Sequence, residues 1–369
     1  MNTTLTTPTS SRLTRRAMLG RLLALPLLPA LSTLAACTLS SQSGGGRAGA
    51  AGDGASTSPR SDAPKASSAP NTGLRTRTLE VATVYAYLGY LPLYAAIQRG
   101  HLRERGLALE IREFKGGGDA GKAFVGGAAD VLIGSYDHVL KLREQGMDVV
   151  ATGNVEATYA YALMAKQGTP HISLDALQGT KLGTTGPGSS TDINLRYGLK
   201  QRGIDPDRGV ELIAVGGGGP MLAALDNDQI AAGMFLDPLL TQLLAQPEKY
   251  QIVHDFRNLE YPLLCVGLRR DWLKANEPAT RDFLAALVAA ESELQADPSV
   301  ALAVARDRFA DVEPSVLEAA VTNTLPRLSK DGRISETAHQ NVLDQQLFAG
   351  TITKPIPYQQ AVDLSYLPA

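Results

Sequence analysis

The sequence has few of the residues from which catalytic and metal centres are usually built. Among its 369 residues are two cysteines, Cys37 and Cys265, and five histidines scattered along the chain. No His-x-x-x-His pair or Cys/His group has the spacing of metal ligands, and Ser189 and Ser190 do not lie in a Gly-x-Ser-x-Gly elbow. Residues 216–219 are all glycine, but no Lys-Ser or Lys-Thr follows them as in a nucleotide-phosphate loop. We therefore expect no enzyme, no metal site and no cofactor.

The chain also lacks an excess of one charge and a cysteine partner for a disulfide. The 35 basic and 37 acidic residues give a net charge of −2 without a basic cluster, so nucleic acid is not an expected partner. Cys265 lies in the apolar run Leu263-Leu264-Cys265-Val266, which predicts a buried structural thiol. If Cys37 carries lipid, no intramolecular disulfide can form.

No apolar run near the start has the character of a membrane span. The pair Arg15-Arg16 precedes an apolar stretch, 17–36, that contains Pro26 and Pro29. Basic residues before a short apolar stretch and small residues after it are typical of an export signal. The pair fits the twin-arginine route, but double arginines also occur in ordinary signals, so the route stays open.

The stretch ends in Leu34-Ala35-Ala36-Cys37, which resembles a bacterial lipobox with Cys37 as the lipidated residue. The alternative is an ordinary cleaved signal with an incidental cysteine. Residues 38 to about 76 are mostly Ser, Gly, Ala, Pro and Thr, and they cannot bury enough apolar surface to fold. We predict an export signal over 1–36 and a disordered tether over 37–76.

The remaining chain predicts an α/β fold. Strands expected at 79–84, 107–114, 130–133, 148–152, 159–165, 210–215 and 230–235 alternate with helices at 92–98, 135–145 and 221–227. This alternation predicts parallel sheets covered on both faces, and further helices are expected at 299–309, 314–325 and 336–348. Gly- and Ser-rich turns follow the strands in two groups, before and after about residue 166. Because ligands of such sheets bind at the carboxyl ends of the strands, the two groups predict two lobes facing a cleft.

The most informative turn is Thr184-Thr185-Gly186-Pro187-Gly188-Ser189-Ser190-Thr191-Asp192, between a short strand and the helix predicted over 193–201. Free backbone N–H groups at a helix start, with hydroxyls around them, can hold an anion or another strong acceptor. The turn contains no Lys or Arg, so binding would rely on dipoles and hydroxyls. The alternative is an ordinary N-cap formed by Ser or Thr.

Several motifs resemble the periplasmic substrate-binding proteins of nitrate/sulfonate/taurine ABC importers. The opening segment 87–100, the segment 128–135, Gly186 to Thr191 and Leu236-Asp237-Pro238 match in order and spacing over about 78–272. Yeast-type thiamine-pyrimidine proteins share the opening motif. The resemblance implies a two-lobed, type II venus-flytrap fold with C-terminal helices returning to the first lobe. We expect lobe I at 77–165 and 266–369 and lobe II at 166–265, with chain crossings near Lys166 and within 261–268.

The resemblance also implies the function. It predicts a lipoprotein at the periplasmic face of a bacterial membrane, anchored through Cys37, that delivers a small ligand to an ABC permease and its ATPase. The predicted ligand-binding residues are Tyr85, Leu88, Tyr90, Gly117, Gly118, Ser135, Tyr136, Gly188, Ser189, Ser190, Thr191, Gly217 and Asp237.

The ligand class stays open at this point. The serine turn favours an anionic head group, and tyrosines at 85, 87, 90, 94, 136, 159 and 161 favour an organic or planar molecule, with about half of them expected to be structural. A sulfonate, a nitrate-like ion, an aromatic acid, a planar heterocycle and a thiamine-pyrimidine precursor all fit. A pyrimidine synthase would need an iron-binding Cys/His set, which Cys265 alone does not supply. The alternative role is an exported ligand sensor without transport.

Overall fold

The computed structural model describes residues 76–170 and 173–369. The predicted export signal, Cys37 and nearly all of the tether lie outside these residues. Within the described ranges, no helix has both the length and the apolar character needed to cross a membrane.

The strands of the described chain form two five-stranded sheets. The strands are β1 (Arg77–Val84), β2 (Leu107–Phe114), β3 (Val131–Gly134), β4 (Val149–Thr158), β5 (Ala162–Lys166), β6 (Lys181–Thr184), β7 (Glu211–Ala214), β8 (Ala232–Phe235), β9 (Tyr250–Asp255) and β10 (Glu260–Arg269).

Helices connect and cover these strands. They are α1 (Leu91–Gln98), α2 (Gly117–Val125), α3 (Tyr136–Glu144), α4 (Ser190–Gln201), α5 (Gly219–Asp226), α6 (Leu239–Leu244), α7 (Arg270–Ala275), α8 (Glu277–Ala296), α9 (Pro298–Arg308), α10 (Pro314–Thr324), α11 (Glu336–Phe348) and α12 (Tyr358–Ala361). Short 3-10 turns lie at Leu88–Tyr90, Arg103–Arg105, Leu174–Ala176 and Leu325–Arg327.

The first sheet, in the order β2-β1-β3-β10-β4, forms lobe I. Its centre is apolar: Leu79, Val81 and Ala82 of β1 are fully buried. β1 pairs in parallel with β2 and β3, whereas β10 is antiparallel to β3 and β4. At the sheet edge, β2 alternates half-buried and exposed positions over Leu109–Arg112, as predicted for a half-exposed strand.

The second sheet, in the order β7-β6-β8-β5-β9, forms lobe II. β6 is parallel to β7 and β8, and β5 is antiparallel to β8 and β9. The prediction of purely parallel sheets was therefore wrong. One strand of each sheet arrives directly from the other lobe: β10 in the first sheet and β5 in the second. Each of them is antiparallel to the neighbouring strands, which helices connect.

The chain crosses between the lobes twice, and the two crossings lie side by side. It leaves β4 for β5 through residues 159–161 and returns from β9 to β10 through residues 256–259. The amide of Tyr159 donates to the carbonyl of Leu259 (3.0 Å), and the amide of Phe256 donates to the carbonyl of Tyr161 (3.3 Å). Both crossings begin a few residues earlier than predicted. At the first, the apolar run 159–165 continues from the crossing into β5, whereas the second contains the polar residues Arg257 and Asn258.

The C-terminal helices return to lobe I, as the resemblance implied. The 20-residue α8 and the following α9 pack on α1, and α11 packs on β10 and α3. Two helices also touch lobe II: α10 contacts α6, and α11 contacts α4. The C-terminal segment therefore links the two lobes behind the crossings.

Candidate functional site

A cavity of about 40 Å³ lies between the lobes, at the carboxyl ends of β1, β3 and β6. A cavity can hold one water molecule from roughly 10–15 Å³ upward, so this space is small but sufficient for a few waters. Its walls come from both lobes and from β10: Val84, Tyr85, Tyr87, Gly116, Gly117, Gly134, Ser135, His138, Tyr161, Thr185, Ser189, Ser190, Leu263 and Leu264.

Three helices of both lobes begin at this cavity. α2 follows the N-cap Gly116, α3 follows Ser135 and α4 follows Ser189, and all three caps line the cavity. The first N–H groups of a helix have no partner within it and carry the positive end of the helix dipole. Three such ends directed at one small space create a site for negative charge without any lysine or arginine in its walls.

Tyrosine hydroxyls form a second group of donors at the cavity. The hydroxyls of Tyr85 and Tyr161 lie 2.7 Å apart and share a hydrogen bond. Tyr87 donates to Oε2 of Glu156 at 2.7 Å. Burial raises the pKa of Tyr85 to about 12 although the hydrogen bond with Tyr161 opposes the shift. The Tyr85 hydroxyl therefore stays protonated near neutral pH and can donate a hydrogen bond.

The serine turn combines a helix cap with a wall of the cavity. Oγ of Ser189 accepts from the amide of Asp192 (3.3 Å), so this serine caps α4. Thr191 is fully buried behind the turn, and its hydroxyl oxygen lies 2.9 Å from the donating amide of Thr185 and 2.8 Å from Oγ of Ser189. Ser189 and Ser190 both line the cavity. The cap interpretation is confirmed for Ser189, and ligand binding by the turn stays a prediction.

A buried carboxylate organises the start of α3. Asp137 is 0% exposed and accepts from Nζ of Lys141 at 2.5 Å and from the hydroxyl of Tyr261 at 3.3 Å, and Nδ1 of His138 lies 3.2 Å away. Burial alone would raise the pKa of Asp137, but the charges of Lys141 and His138 and their hydrogen bonds outweigh it and hold the pKa well below its usual range.

Lys141 also joins the lobes at the front of the cleft. Its ammonium donates to the carbonyl of Gly188 at 2.5 Å, which connects α3 of lobe I to the serine turn of lobe II. Gly188 has φ of +68°, a conformation that favours glycine. Its backbone amide donates to Asp192 at 2.8 Å, so the turn is fixed from both sides.

A second buried charge group joins the lobes at the back. Nε of Arg327 lies 3.4 Å from Glu156 of β4, and its Nη2 lies 3.2 Å from Asp237 of lobe II. Both carboxylates are almost fully buried. Burial raises the pKa of Glu156, against the opposing effects of Arg327 and Tyr87.

The structure brings five of the predicted ligand residues to the cavity wall: Tyr85, Gly117, Ser135, Ser189 and Ser190. Four others lie next to it. Gly217 lies against the ring of Tyr85, since an added Cβ would be 2.5 Å from that ring. Gly118 borders a neighbouring groove, Gly188 accepts from Lys141, and Thr191 supports the turn from behind.

The other four predicted residues, Leu88, Tyr90, Tyr136 and Asp237, do not line the cavity, and the structure differs from the sequence-based set at these positions. Leu88 is fully buried in lobe I. Tyr90 donates its hydroxyl to the carbonyl of Ile133, and the Tyr136 hydroxyl bonds with His339 of α11. Asp237 accepts from Thr241 and Arg327. The three polar side chains among them therefore have their hydrogen-bond partners within the protein.

Sequence reasoning missed several wall residues. His138 was weighed only as a metal ligand, whereas it lines the cavity one residue after Asp137; no group of three or more potential metal ligands occurs in the described ranges. Leu263 and Leu264, predicted only as part of the second crossing, also line the cavity. The rule that ligands bind at strand ends could have found Val84 and Thr185. Cys265 is buried, as expected.

A larger depression, of about 520 Å³, lies at the far edge of lobe II beside Lys166 and Asp228. It is open to solvent and receives no helix N-terminus from lobe I. We assign the functional site to the smaller cavity because donors of both lobes meet there.

Known proteins share this fold and parts of this sequence. The model of the NMT1-like family matches residues 74–307. YtlA of Bacillus subtilis (strain 168), named as a binding protein, is 24% identical over 303 residues, which are 77% of this chain and 87% of YtlA. The structure of a protein from Bordetella bronchiseptica RB50 is 26% identical with a TM-score of 0.69, covering 79% of this chain and 96% of that one.

Two further solved structures with the same fold are named for binding in one case and for an enzyme in the other. The periplasmic aliphatic sulphonate binding protein SsuA from Escherichia coli has a TM-score of 0.62 and 19% identity, covering 77% of this chain and 96% of SsuA. The desulfurization enzyme DSZB has a TM-score of 0.59 and 13% identity, covering 78% and 97%. The predicted type II periplasmic-binding-protein fold is confirmed, and the fold alone does not decide between binding and catalysis. By the match over residues 74–307, the chain belongs to the NMT1-like family.

Proposed function

We propose that this protein is the substrate-binding component of an ABC importer and captures a small organic anion between its lobes. The observation that carries the proposal is the meeting of three helix N-termini with the hydroxyls of Tyr85, Ser135 and Ser190 in one cavity. The sulphonate-binding neighbour has the same fold. A permease and its ATPase would be the macromolecular partners.

The wall chemistry favours a ligand with a compact acceptor head group. The donors are neutral hydroxyls and backbone amides, which suit a sulfonate, carboxylate or nitrate-like oxygen set. Tyr85, Tyr87 and Tyr161 add aromatic faces, so an organic anion fits better than a bare inorganic ion. A planar heterocycle with several acceptors is the second candidate, and the same tyrosines favour it.

Isothermal titration calorimetry tests the ligand class and the site together. The panel contains methanesulfonate, nitrate, benzoate and 4-aminopyrimidine. Ser190→Ala removes one hydroxyl donor and should weaken binding of the recognised compound about two- to tenfold. The control is Ser292→Ala on the exposed face of α8, which should bind like the wild type. Normal affinity combined with a lower melting temperature for Ser190→Ala would remove this turn from the binding site.

Ligand capture would close the lobes about the paired crossings at 159–161 and 256–259. Rotation of two lobes about adjacent strands is an established hinge mechanism. Small-angle scattering should therefore give a smaller radius of gyration at saturating ligand. An unchanged radius would argue against lobe closure.

Membrane attachment through Cys37 is a separate proposal, supported by the Leu34-Ala35-Ala36-Cys37 motif and the polar segment after it. Lipid chains would hold the exported protein at the periplasmic face of a bacterial membrane. Cys37→Ala should then move the protein from the membrane fraction to the soluble fraction. Retention of the variant on membranes after a high-salt wash would contradict lipidation. Uptake of the identified ligand by a deletion strain separates transport from sensing.

A further inference from the structure

One imidazole lies in the cavity wall among the hydroxyls and the helix N-termini. His138 belongs to the first turn of α3, and its side chain is 11% exposed. Among the described residues, no lysine, arginine or carboxylate lines the cavity, so this ring is the group of the wall whose charge ordinarily changes between about pH 5 and pH 8. The protonation state of the ring therefore decides whether the wall offers a charged donor.

Asp137 fixes one nitrogen of this ring. Its Oδ1 lies 3.2 Å from Nδ1 of His138, and the carboxyl is 0% exposed. Burial opposes ionisation, but the charges of Lys141 and His138 outweigh it and lower the pKa of Asp137, so the carboxyl is ionised near neutral pH. A carboxylate can only accept a hydrogen bond, so Nδ1 carries a proton and donates it. In the neutral ring, Nε2 is then left with a lone pair.

The other nitrogen, Nε2, lies against the start of α2. A Cβ on Gly117, the first residue of α2, would be 2.1 Å from Nε2. Among the described residues, the ring forms its hydrogen bond through Nδ1 alone. The first N–H groups of α2 have no partner within the helix. An anionic oxygen beside Gly117 would therefore meet these N–H groups and Nε2 together, and it would be repelled by a lone pair but attracted by an N–H.

The charged groups around the ring leave room for one more negative charge. Nζ of Lys141 lies 2.5 Å from the same Asp137, so two cationic groups share one carboxylate once the ring is protonated. The other nearby charges already have partners: Lys122 pairs with Asp119 on α2, Asp192 with Arg196 behind the serine turn, and Glu156 with Arg327 beyond Tyr87. An anion in the cavity would balance the excess positive charge.

The remaining titratable groups near the ring are neutral at pH 7. Burial raises the pKa of each of them, and they are Tyr85, Tyr87, Tyr261 and Cys265. A change of charge in this part of the cleft between pH 6 and pH 8 is therefore assigned to His138.

We propose that His138 is a ligand-binding residue that takes up a proton from solvent when an anion enters the cavity. Nδ1–H stays bonded to Asp137, which acts as a positioning residue, and the new Nε2–H donates to the anion. The inference rests on the proposed function and deepens it, because an ion pair with the ring selects ionised ligands over neutral heterocycles of similar shape.

Calorimetry tests this proton uptake with whichever of methanesulfonate, nitrate and benzoate binds, since all three stay ionised from pH 6 to pH 8. Affinity should rise as pH falls, by up to about tenfold per pH unit. Titrations in phosphate and in Tris, which differ in heat of ionisation, should show uptake of up to about one proton per ligand.

His138→Gln keeps an N–H donor but cannot titrate. It should abolish the proton uptake and weaken binding about three- to tenfold at pH 6, with a change of less than about threefold at pH 8. The matched control is His101→Gln, on the surface of lobe I, where the ring pairs with Glu293. His101 lies outside the cavity wall, and its variant should keep the wild-type pH profile.

A pair of glycine variants moves the ring without removing it. Gly117→Ala places a Cβ where Nε2 lies and should displace the imidazole and abolish the proton uptake. In Gly118→Ala the Cβ meets no atom within 4 Å, so the uptake should persist. Neither position has a positive φ, and alanine favours the helix, so both variants should fold.

Nitrogen-15 NMR of histidine-labelled protein reports the ring directly, with the His138 signal assigned by its absence from His138→Gln. Both ring nitrogens should be protonated in the complex at pH 7. A neutral ring in the complex, binding without proton uptake, or equal pH profiles of wild type and His138→Gln would each overturn this role of His138 and leave the proposed function intact. Absence of binding for all three anions would reject anion capture and the proton uptake together.

Discussion

The two lobes meet at a front and a back contact that use charge in opposite ways. At the front, the cavity is surrounded by hydroxyls and helix N-termini, and a single ammonium, that of Lys141, reaches the Gly188 carbonyl across the cleft. At the back, Arg327 lies between the carboxylates of Glu156 and Asp237, all three nearly excluded from water.

The back contact therefore serves to hold the lobes together, whereas the front surrounds the candidate ligand site. Charges at the back are already paired with one another. At the front, the helix N-termini and the hydroxyls of Tyr85, Tyr161 and Ser190 have no charged partner in the cavity wall, whereas Tyr87 donates to Glu156 and Ser135 to Tyr261. A pocket can therefore attract negative charge although the chain has a net charge of −2.

The largest expected effect comes from breaking the back contact. Arg327→Met leaves two buried carboxylates without their partner and should lower the free energy of unfolding by about 3–5 kcal/mol. Urea unfolding followed by circular dichroism measures the loss. The control is Arg333→Met, whose side chain is 57% exposed and which should change stability by no more than about 0.5 kcal/mol. If the two substitutions lowered the free energy of unfolding equally, the buried back contact would contribute no more to stability than an exposed charge.

Breaking the front contact should have a smaller and pH-dependent effect. Lys141→Met removes the strongest partner of Asp137 and should cost about 1.5–3 kcal/mol at pH 7. Lys122→Met, with a side chain 82% exposed on α2, is the control.

The sign of the pH dependence follows from Asp137. Its pKa is lowered in the folded state, so its stabilisation is present above the unfolded value of about 3.9 and is lost as pH falls below it. The difference in the free energy of unfolding between wild type and Lys141→Met should therefore shrink between pH 5 and pH 3. If Lys141 contributes only packing, this difference should stay constant over the same pH range.

A fourth buried carboxyl, Glu291 of α8, sharpens the contrast because no cation lies beside it among the described residues. It is 1% exposed, and neither carboxyl oxygen has a hydrogen-bond partner. Burial, followed by the charge of Asp331, raises its pKa well above the usual range.

Because the folded state holds the Glu291 proton more tightly, stability falls as pH rises above the unfolded value of about 4.3. Glu291→Gln should therefore raise the melting temperature at pH 8, by an amount equivalent to about 1–2 kcal/mol, and change it little at pH 4. Glu318→Gln, exposed on α10, serves as the control. A destabilised Glu291→Gln variant at pH 8 would contradict an uncompensated buried carboxyl.

The smallest effect separates two neighbours in the serine turn. Thr191→Val removes the hydroxyl that links Thr185 and Ser189 and should lower stability by about 1 kcal/mol while ligand affinity stays nearly unchanged. Ser190→Ala should give the opposite pattern. Melting curves measure the stability of both variants, and calorimetry measures their ligand affinity. If both variants lose stability and keep affinity, the two residues have the same structural role.

The fold could be predicted well from the sequence where local signals and strand order agreed. The predicted strand at 107–114 coincides with β2, and the predicted helices in 299–348 correspond to α9, α10 and α11. It missed α8, although its buried residues Ala279, Phe283, Leu287, Ala290 and Leu294 recur at helical spacing. It also missed the strands β9 and β10, and it gave β5 without its antiparallel direction, because strand direction follows from which lobe the chain enters.

The site was only partly predictable. Ser189, Ser190 and Gly117 stood in recognisable turns after strands, and they line the cavity. Tyr90 and Tyr136 follow equally suitable strands, but their hydroxyls reach internal partners, which only the packed structure reveals. Arg327 lies far along the chain from Glu156, and no local pattern links them.

The position of Cys265 has a practical consequence. It belongs to β10, between β3 and β4 of the first sheet, and burial raises the pKa of its thiol well above the usual range. A thiol reagent can reach it only when that sheet separates. In a Cys37→Ser background, the labelling rate would therefore time the opening of lobe I alone, and comparison with a probe on lobe II would show whether the two lobes unfold in one step.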